Sequence, residues 1–272
     1  LGGGGARGLC HIEFIKAMDE MGVKASVVSG TSIGSIVGSF YASGLSGQEI
    51  EDIANAVGLV ELSKMIDLAI LNPSGIVKGK GVEEFLSKYL PASNFEDLKI
   101  PLKIVATDYW ERKEVVFESG PLIPAIRASI SIPGLFTPVK INKQILVDGG
   151  AVNPLPYELI RNQCDLLIAI DVSGKSSPPR FRKVPTMLES VINTYHIMET
   201  ALVENMLENM KPDIYVKPSL INIQILEFYR HHFIKKSIQK DLIWFKNELE
   251  QHLMKKKEKQ SKWWRKTFFT SR

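Results

Sequence analysis

The stretch VVSGTSIGSIVGSFYAS, residues 27–43, constrains the fold more than any other. Ala25–Ser29 reads as a short buried strand that stops at a glycine. Ile33–Ser43 follows at once and is small and apolar, which suits a helix lying close against a sheet. A strand passing directly into such a helix is a building unit of α/β proteins. The turn between them has GxSxG spacing, with Ser32 between Gly30 and Gly34. Glycine at both flanks removes Cβ clashes and leaves the serine hydroxyl clear at the helix N-terminus. The helix dipole and free N–H groups there favour negative charge. The same spacing also occurs by chance in ordinary strand-to-helix connections, so the rest of the chain must decide.

The remaining pattern alternates. Helices are expected over residues 9–22 (LCHIEFIKAMDEMG, with Gly22 as its stop), Gln48–Val57, Val82–Leu90, Ile123–Ser129 and Pro156–Asn162. Strands are expected over Leu102–Thr107, Val115–Phe117, Ile145–Val147 and Ile214–Val216. Asp165–Val172 (DLLIAIDV) is apolar on both faces, as strands of covered parallel sheets are. A linker, Gly174–Arg182, precedes a long helix, Pro185–Met210, whose apolar stripe reads Leu188, Val191, Tyr195, Met198, Leu202 and Met206. Ile225–Met254 reads as mostly helical. The expectation is a three-layer α/β/α sandwich with a mostly parallel central sheet.

Upstream of the serine lies GGGGARG, residues 2–8. Consecutive glycines bare their N–H groups and form an anion cradle. As a P-loop the segment fails, because no Gly-Lys-Ser/Thr follows. As a dinucleotide loop it matches GxGxxG through Gly3, Gly5 and Gly8, but the next strand ends in Gly30-Thr31-Ser32, with no acidic residue for a ribose. As an oxyanion hole, Gly3, Gly4 and Gly5 would stabilise charge developing on a carbonyl oxygen, with Arg7 orienting the loop. A flexible glycine run is the plain alternative.

A serine nucleophile needs a base. Of the five histidines, His11 reads as a surface or partly buried residue of the first helix and His196 as a core-edge residue. His231, His232 and His252 fall in the basic C-terminal segment and read as solvated. Asp148 is the better candidate. It follows a strand and opens Asp148-Gly149-Gly150, where glycines clear space around a carboxylate, although Asp-Gly is also a common turn pair.

Together these motifs resemble the patatin-like phospholipases, lipid acyl hydrolases that use a Ser–Asp dyad without histidine. The chain is similar to the family's bacterial single-domain members and to the catalytic domain of neuropathy target esterase. The resemblance rests on GGGARG at 3–8 with HIEFIKAMDEMG after it, GTSIG at 30–34, ASISIPGLFTPV at 128–139 and DGG at 148–150, in that order. It spans about residues 1–220. It implies Ser32 as nucleophile, Asp148 as its base, Gly3, Gly4 and Gly5 as oxyanion hole, and a site supported by Arg7, Gly30, Gly34, Gly149, Gly150 and Pro133. It implies no metal and no organic cofactor. In the family a strand precedes the glycine loop, and only Leu1 remains of it here, so a truncated start is expected.

Residues 1–220 thus read as a catalytic domain and 221–272 as a helical, basic and aromatic extension. The net charge of +4 hides an asymmetry: residues 231–272 carry 12 Lys/Arg against 4 Asp/Glu. With Phe233, Trp244, Phe245, Trp263, Trp264, Phe268 and Phe269 interleaved, that segment suits peripheral contact with an anionic membrane. A solvated helix is the plain alternative, and nucleic-acid binding has no other support. No stretch approaches a transmembrane span and no secretory signal is visible, so a cytoplasmic location, with contact at the inner membrane face of a bacterium, is expected. Cys10 and Cys164 form no framework. A general carboxylesterase or thioesterase, a dinucleotide-dependent oxidoreductase and a catalytically silent membrane scaffold are the competing readings.

Overall fold

The computed structural model describes residues 1–56, 79–175 and 184–269. Its helices are α1 (Cys10–Glu20), α2 (Ile33–Ala42), α3 (Gly47–Ala56), α4 (Lys80–Tyr89), α5 (Leu122–Ser129), α6 (Met187–Asn209), α7 (His231–Ser237) and α8 (Gln239–Phe269). The strands are β1 (Val28–Thr31), β2 (Leu102–Asp108), β3 (Lys113–Phe117), β4 (Val139–Ile141), β5 (Gln144–Asp148), β6 (Ile168–Ile170) and β7 (Ile214–Val216). Most of the expected linker lies outside the described residues.

Strand β2 organises the sheet. One edge carries β3, antiparallel. The other edge carries two strands end to end. The parallel β1 covers Leu102–Val105 and the antiparallel β5 covers Ala106–Asp108. β4 pairs antiparallel with β5, and β6 and β7 pair parallel. The sheet is therefore mixed rather than mostly parallel. Two hairpins contribute to this, because tight turns through Arg112, at φ 54°, between β2 and β3 and through Asn142, at φ 55°, between β4 and β5 reverse the chain where helical crossovers would have kept it parallel.

Leu1 and Gly2 lie between the two strand groups. The Leu1 amine donates to the Ser29 carbonyl at 2.8 Å, and Thr31 N–H donates to the Leu1 carbonyl at 3.2 Å, in the pattern of a parallel ladder. Gly2 N–H donates to Ile170 of β6 at 3.0 Å. The dipeptide marks the place of the expected first strand.

Side chains of β6 and β7 alternate between two cores. Ile170, Ile214 and Val216 join the large core with α1, α2 and α8, whereas Ala169 and Tyr215 join a smaller one with Leu155, Tyr157 and Val203 of α6. The expected strand Asp165–Val172 is thus covered on both faces, although its ladder is only β6 long. The C-terminal helices belong to the large core. Ile234, Ile238, Leu242, Phe245 and Leu249 are buried in it, and Phe245 meets Phe14 of α1 edge-to-face at 5.3 Å. Among the described residues, no helix is long and apolar enough to cross a membrane.

The apolar stripe expected on α6 holds only in part, with Tyr195 and Met206 turned to the body. Val191 and Met198 are exposed, and the face turned to the body carries Tyr195, His196, Glu199 and Val203. Hydrophobicity alone finds only part of that face, because His196 and Glu199 on it are polar.

Candidate active site

Ser32 precedes the first turn of α2 with φ 54° and ψ −125°, a strained conformation for a residue with a side chain. Two close approaches impose it. A Cβ on Gly30 would lie 2.5 Å from the Gly34 carbonyl oxygen, and one on Gly34 would lie 2.2 Å from the Leu1 carbonyl oxygen. Only glycine at both positions lets the strand become a helix this abruptly. The turn is pinned from α5, where Ser129 Oγ accepts the Ser32 N–H at 2.9 Å. Ser129 was not among the expected site residues, since nothing in a lone serine on a helix marks it as an anchor.

The glycine loop crosses the same end of the sheet, and a Cβ on Gly3 would be 3.3 Å from Ser32 Cβ. Gly3 N–H donates to the Pro154 carbonyl at 2.9 Å, so it is not free to bind an oxyanion. Gly4 and Gly5 N–H have no acceptor among the described residues. Of the three amides expected to form a cradle, two are therefore unpaired among the described residues. Arg7 holds this loop, with Nε donating to Gly4 O at 3.1 Å and the two terminal nitrogens donating to Ser173 O and to His196. His11 is wholly buried, not at the surface. Its Nε2–H donates to Gly2 O at 2.9 Å, and burial lowers its pKa to about 3, so it is a neutral strut beneath the loop.

Asp148 ends β5 and is 1% exposed. Its Oδ1 accepts the Gly150 N–H at 2.7 Å and the Tyr195 hydroxyl at 3.2 Å. Oδ2 is buried without a full hydrogen bond, and the Ser32 hydroxyl is a near donor that favours the ionised form. Burial, and then the charge of Glu199, push the Asp148 pKa up to about 7. A carboxylate poised there is an effective general base at neutral pH. A Cβ on Gly149 would meet the Val105 carbonyl at 2.3 Å, and one on Gly150 would meet Glu199 Oε1 at 2.1 Å. Both glycines therefore admit neighbours as well as a turn.

An apolar cavity runs from Ser32 and Gly5 between α2, α3 and α4, walled by Ile33, Val37, Phe40, Ile53, Phe85, Leu135 and Phe136 among others. Pro133 is itself exposed. It is the residues on either side, Ile130, Ile132, Leu135 and Phe136, that line the cavity. His231, expected to be solvated, is instead buried near Glu51 and Glu13. Lys235 pairs with Glu51 at 2.6 Å and with Glu13 at 3.3 Å, and Lys16 also pairs with Glu51, so those carboxylates already hold cations of the chain itself.

The patatin-like phospholipase family model matches residues 1–160. The chain belongs to the patatin-like phospholipase family. An uncharacterized NTE family protein of Mycobacterium tuberculosis is 34% identical over 198 residues, 71% of this chain and 53% of that protein. Lysophospholipase NTE1 of Kluyveromyces lactis is 34% identical over 64% of this chain and 12% of its own length. Patatin-like phospholipase domain-containing protein 6 of Homo sapiens is 35% identical over 64% of this chain and 13% of its own. The chain thus spans about half the length of the mycobacterial relative and far less of the eukaryotic ones. The structure of VipD from Legionella pneumophila superposes with a TM-score of 0.50 at 13% identity, over 90% of this chain and 65% of that one, a likeness of fold alone.

Proposed function

We propose that this patatin-like chain is a serine lipid acyl hydrolase that cleaves carboxylic ester bonds of phospholipids or lysophospholipids. The observation that carries the reading is the cavity, which is apolar throughout and reaches the protein's reactive end at Ser32. An acyl chain is the ligand such a wall accepts, because it buries methylene groups without leaving a polar group unpaired. The name of the Kluyveromyces relative, a lysophospholipase, agrees with it.

In this reading Asp148 takes the Ser32 proton as Ser32 Oγ attacks the acyl carbonyl carbon. The carbonyl electron pair moves onto oxygen, and the free N–H groups of Gly4 and Gly5 hold the resulting oxyanion. On collapse the bond to the leaving alcohol breaks, and that alcohol takes the proton from Asp148. Water, giving its proton to Asp148, then attacks the acyl-serine, and as the bond to Ser32 Oγ breaks Asp148 returns that proton to Ser32 Oγ and the fatty acid is released. No metal or organic cofactor has a step. Peripheral contact with an anionic bilayer through the C-terminal segment would bring the cavity to its substrate.

The test is hydrolysis of a lysophospholipid, a phospholipid and a short-chain nitrophenyl ester by the wild-type chain, Ser32→Ala and Asp148→Asn. The expected result is turnover that either substitution lowers by three orders of magnitude or more. Turnover of the nitrophenyl ester alone would make the chain a general esterase. Absence of turnover on all three would overturn the reading.

A further inference from the structure

Helix α6 lies beyond the residues that the family model matches, yet it closes over the Ser32–Asp148 pair. Three of its side chains face inward. Tyr195 donates its hydroxyl to Asp148 Oδ1. Glu199, 6% exposed, accepts from His196 Nδ1 at 2.7 Å through Oε2. Its other oxygen stands between the two loops of the site, 2.1 Å from a Cβ built on Gly150 and 3.8 Å from one built on Gly3.

The polarity of this chain follows from its acceptor. An ionised carboxylate only accepts, so the hydrogen between His196 Nδ1 and Glu199 Oε2 sits on Nδ1, while one Arg7 terminal nitrogen lies against the same ring, 3.1 Å from Nε2 and 3.5 Å from Nδ1. Arg7 also grips Gly4, so one continuous line of polar contacts, through the His196 ring, joins the glycine loop to Glu199. Glu199 is fixed by that line with its second oxygen directed at the neighbourhood of Asp148.

We propose that Glu199 is a positioning residue that sets the basicity of Asp148, through charge repulsion held at fixed distance by His196 and Arg7. The inference rests on the reading of Ser32 and Asp148 as nucleophile and base. Two carboxylates in one buried site resist simultaneous ionisation. Ionised Glu199 therefore makes Asp148 hold its proton more tightly. It becomes a stronger base for the serine proton, at the expense of activity in mild acid. Tyr195 acts in the opposite sense, because its hydroxyl stabilises the ionised carboxylate. The charged and titratable groups around the pair are Tyr195, His196 and Glu199 from α6, Arg7 from the glycine loop and Cys10 at the start of α1. Among the described residues, Ser32 at the head of α2 and Asp171 after β6, which faces Arg7, are the others.

The test is direct titration of Asp148 in the whole chain labelled with carboxyl-13C aspartate, the resonance being assigned by its loss in Asp148→Asn. The expected midpoint is near 7 in the wild type, about one unit lower in Glu199→Gln and higher in Tyr195→Phe, with Glu199→Asp close to wild type. The acid limb of kcat/KM on the nitrophenyl ester should move in the same directions. A purely structural Glu199 would change the melting temperature and leave the Asp148 midpoint in place, and that result would overturn the proposal. The titration needs no turnover. An inert wild type whose Asp148 midpoint still falls in Glu199→Gln would therefore count against the hydrolase reading and support the coupling.

Discussion

Thr31 and Asp148 occupy successive rungs on one edge of β2, with Thr31 opposite Val105 and Asp148 opposite Ala106. The C-terminal ends of β1 and β5 therefore meet head-on. Ser32, the next residue after Thr31, comes beside the Asp148 carboxylate as a consequence of register. Gly149 lets the ends approach, since a Cβ there would lie 2.3 Å from the Val105 carbonyl and 3.1 Å from Thr31 Cγ2. Gly149→Ala should push the end of β5 outward and lower kcat on an ester substrate by about 100-fold. Its far-UV circular dichroism should stay native. A variant with wild-type kcat would show that the register does not set the Ser32–Asp148 distance.

Asp148 also carries a stability consequence with a definite sign. Its folded-state pKa, about 7, lies above the ordinary 3.8. The stability it contributes is full below about pH 4 and is lost as pH rises through 7. Asp148→Asn removes that loss. The variant should melt at nearly the wild-type temperature near pH 4. It should gain on the wild type through pH 7 and hold a constant advantage above it, worth at most about 4 kcal/mol. Calorimetric scans of both proteins across this range check the trend. An advantage that shrinks with rising pH would contradict the burial argument.

The sequence made the strand–elbow–helix unit legible because each of its devices is local. Gly30, Ser32 and Gly34 act within five residues, and a turn that sharp admits few alternatives. The Asp148-Gly149-Gly150 turn was legible for the same reason. The mixed sheet was not. Its strand directions depend on the reversals at Arg112 and Asn142, residues that also suit loops between parallel strands. The free amides were not legible either, because only the fold brings Pro154 to Gly3. Glu199 escaped detection because a buried carboxylate on a helix looks like a solvated one until Arg7, 192 positions earlier in the numbering, is placed beside His196.

Arg7 makes three contacts from one buried guanidinium: it donates to Gly4 O and Ser173 O and lies against the His196 ring. Lysine carries a point charge and cannot span that fork. Arg7→Lys should free the glycine loop and lower kcat by about tenfold to 100-fold, with KM nearly unchanged, because the oxyanion exists only after attack. Steady-state kinetics on the nitrophenyl ester separate the two constants. A rise in KM at constant kcat would place Arg7 in substrate binding instead.

The C-terminal segment divides by its packing. Lys235, Lys246 and Lys256 are paired with carboxylates of the body, namely Glu13 and Glu51, Glu20, and Asp165. Phe245 and Leu249 lie in the core. Deleting residues 231–272 would therefore unfold the protein before it tested any membrane contact. The exposed face of α7 and the start of α8 carries Phe233, Lys236, Lys240, Ile243 and Trp244 instead. Neither of these lysines has a carboxylate partner among the described residues. Apolar and basic groups mixed on one exposed face suit an anionic bilayer, where each lysine near the surface contributes about 1 kcal/mol. Lys236→Gln with Lys240→Gln should weaken binding to vesicles containing phosphatidylserine by about fivefold per lysine at moderate salt. Binding to pure phosphatidylcholine vesicles should be unaffected. Trp244→Ala should weaken binding to both kinds of vesicle, because it removes the apolar contact. Vesicle co-sedimentation at two ionic strengths reads all three variants. Equal binding of the double lysine variant and the wild type to anionic vesicles would remove this face from the membrane contact.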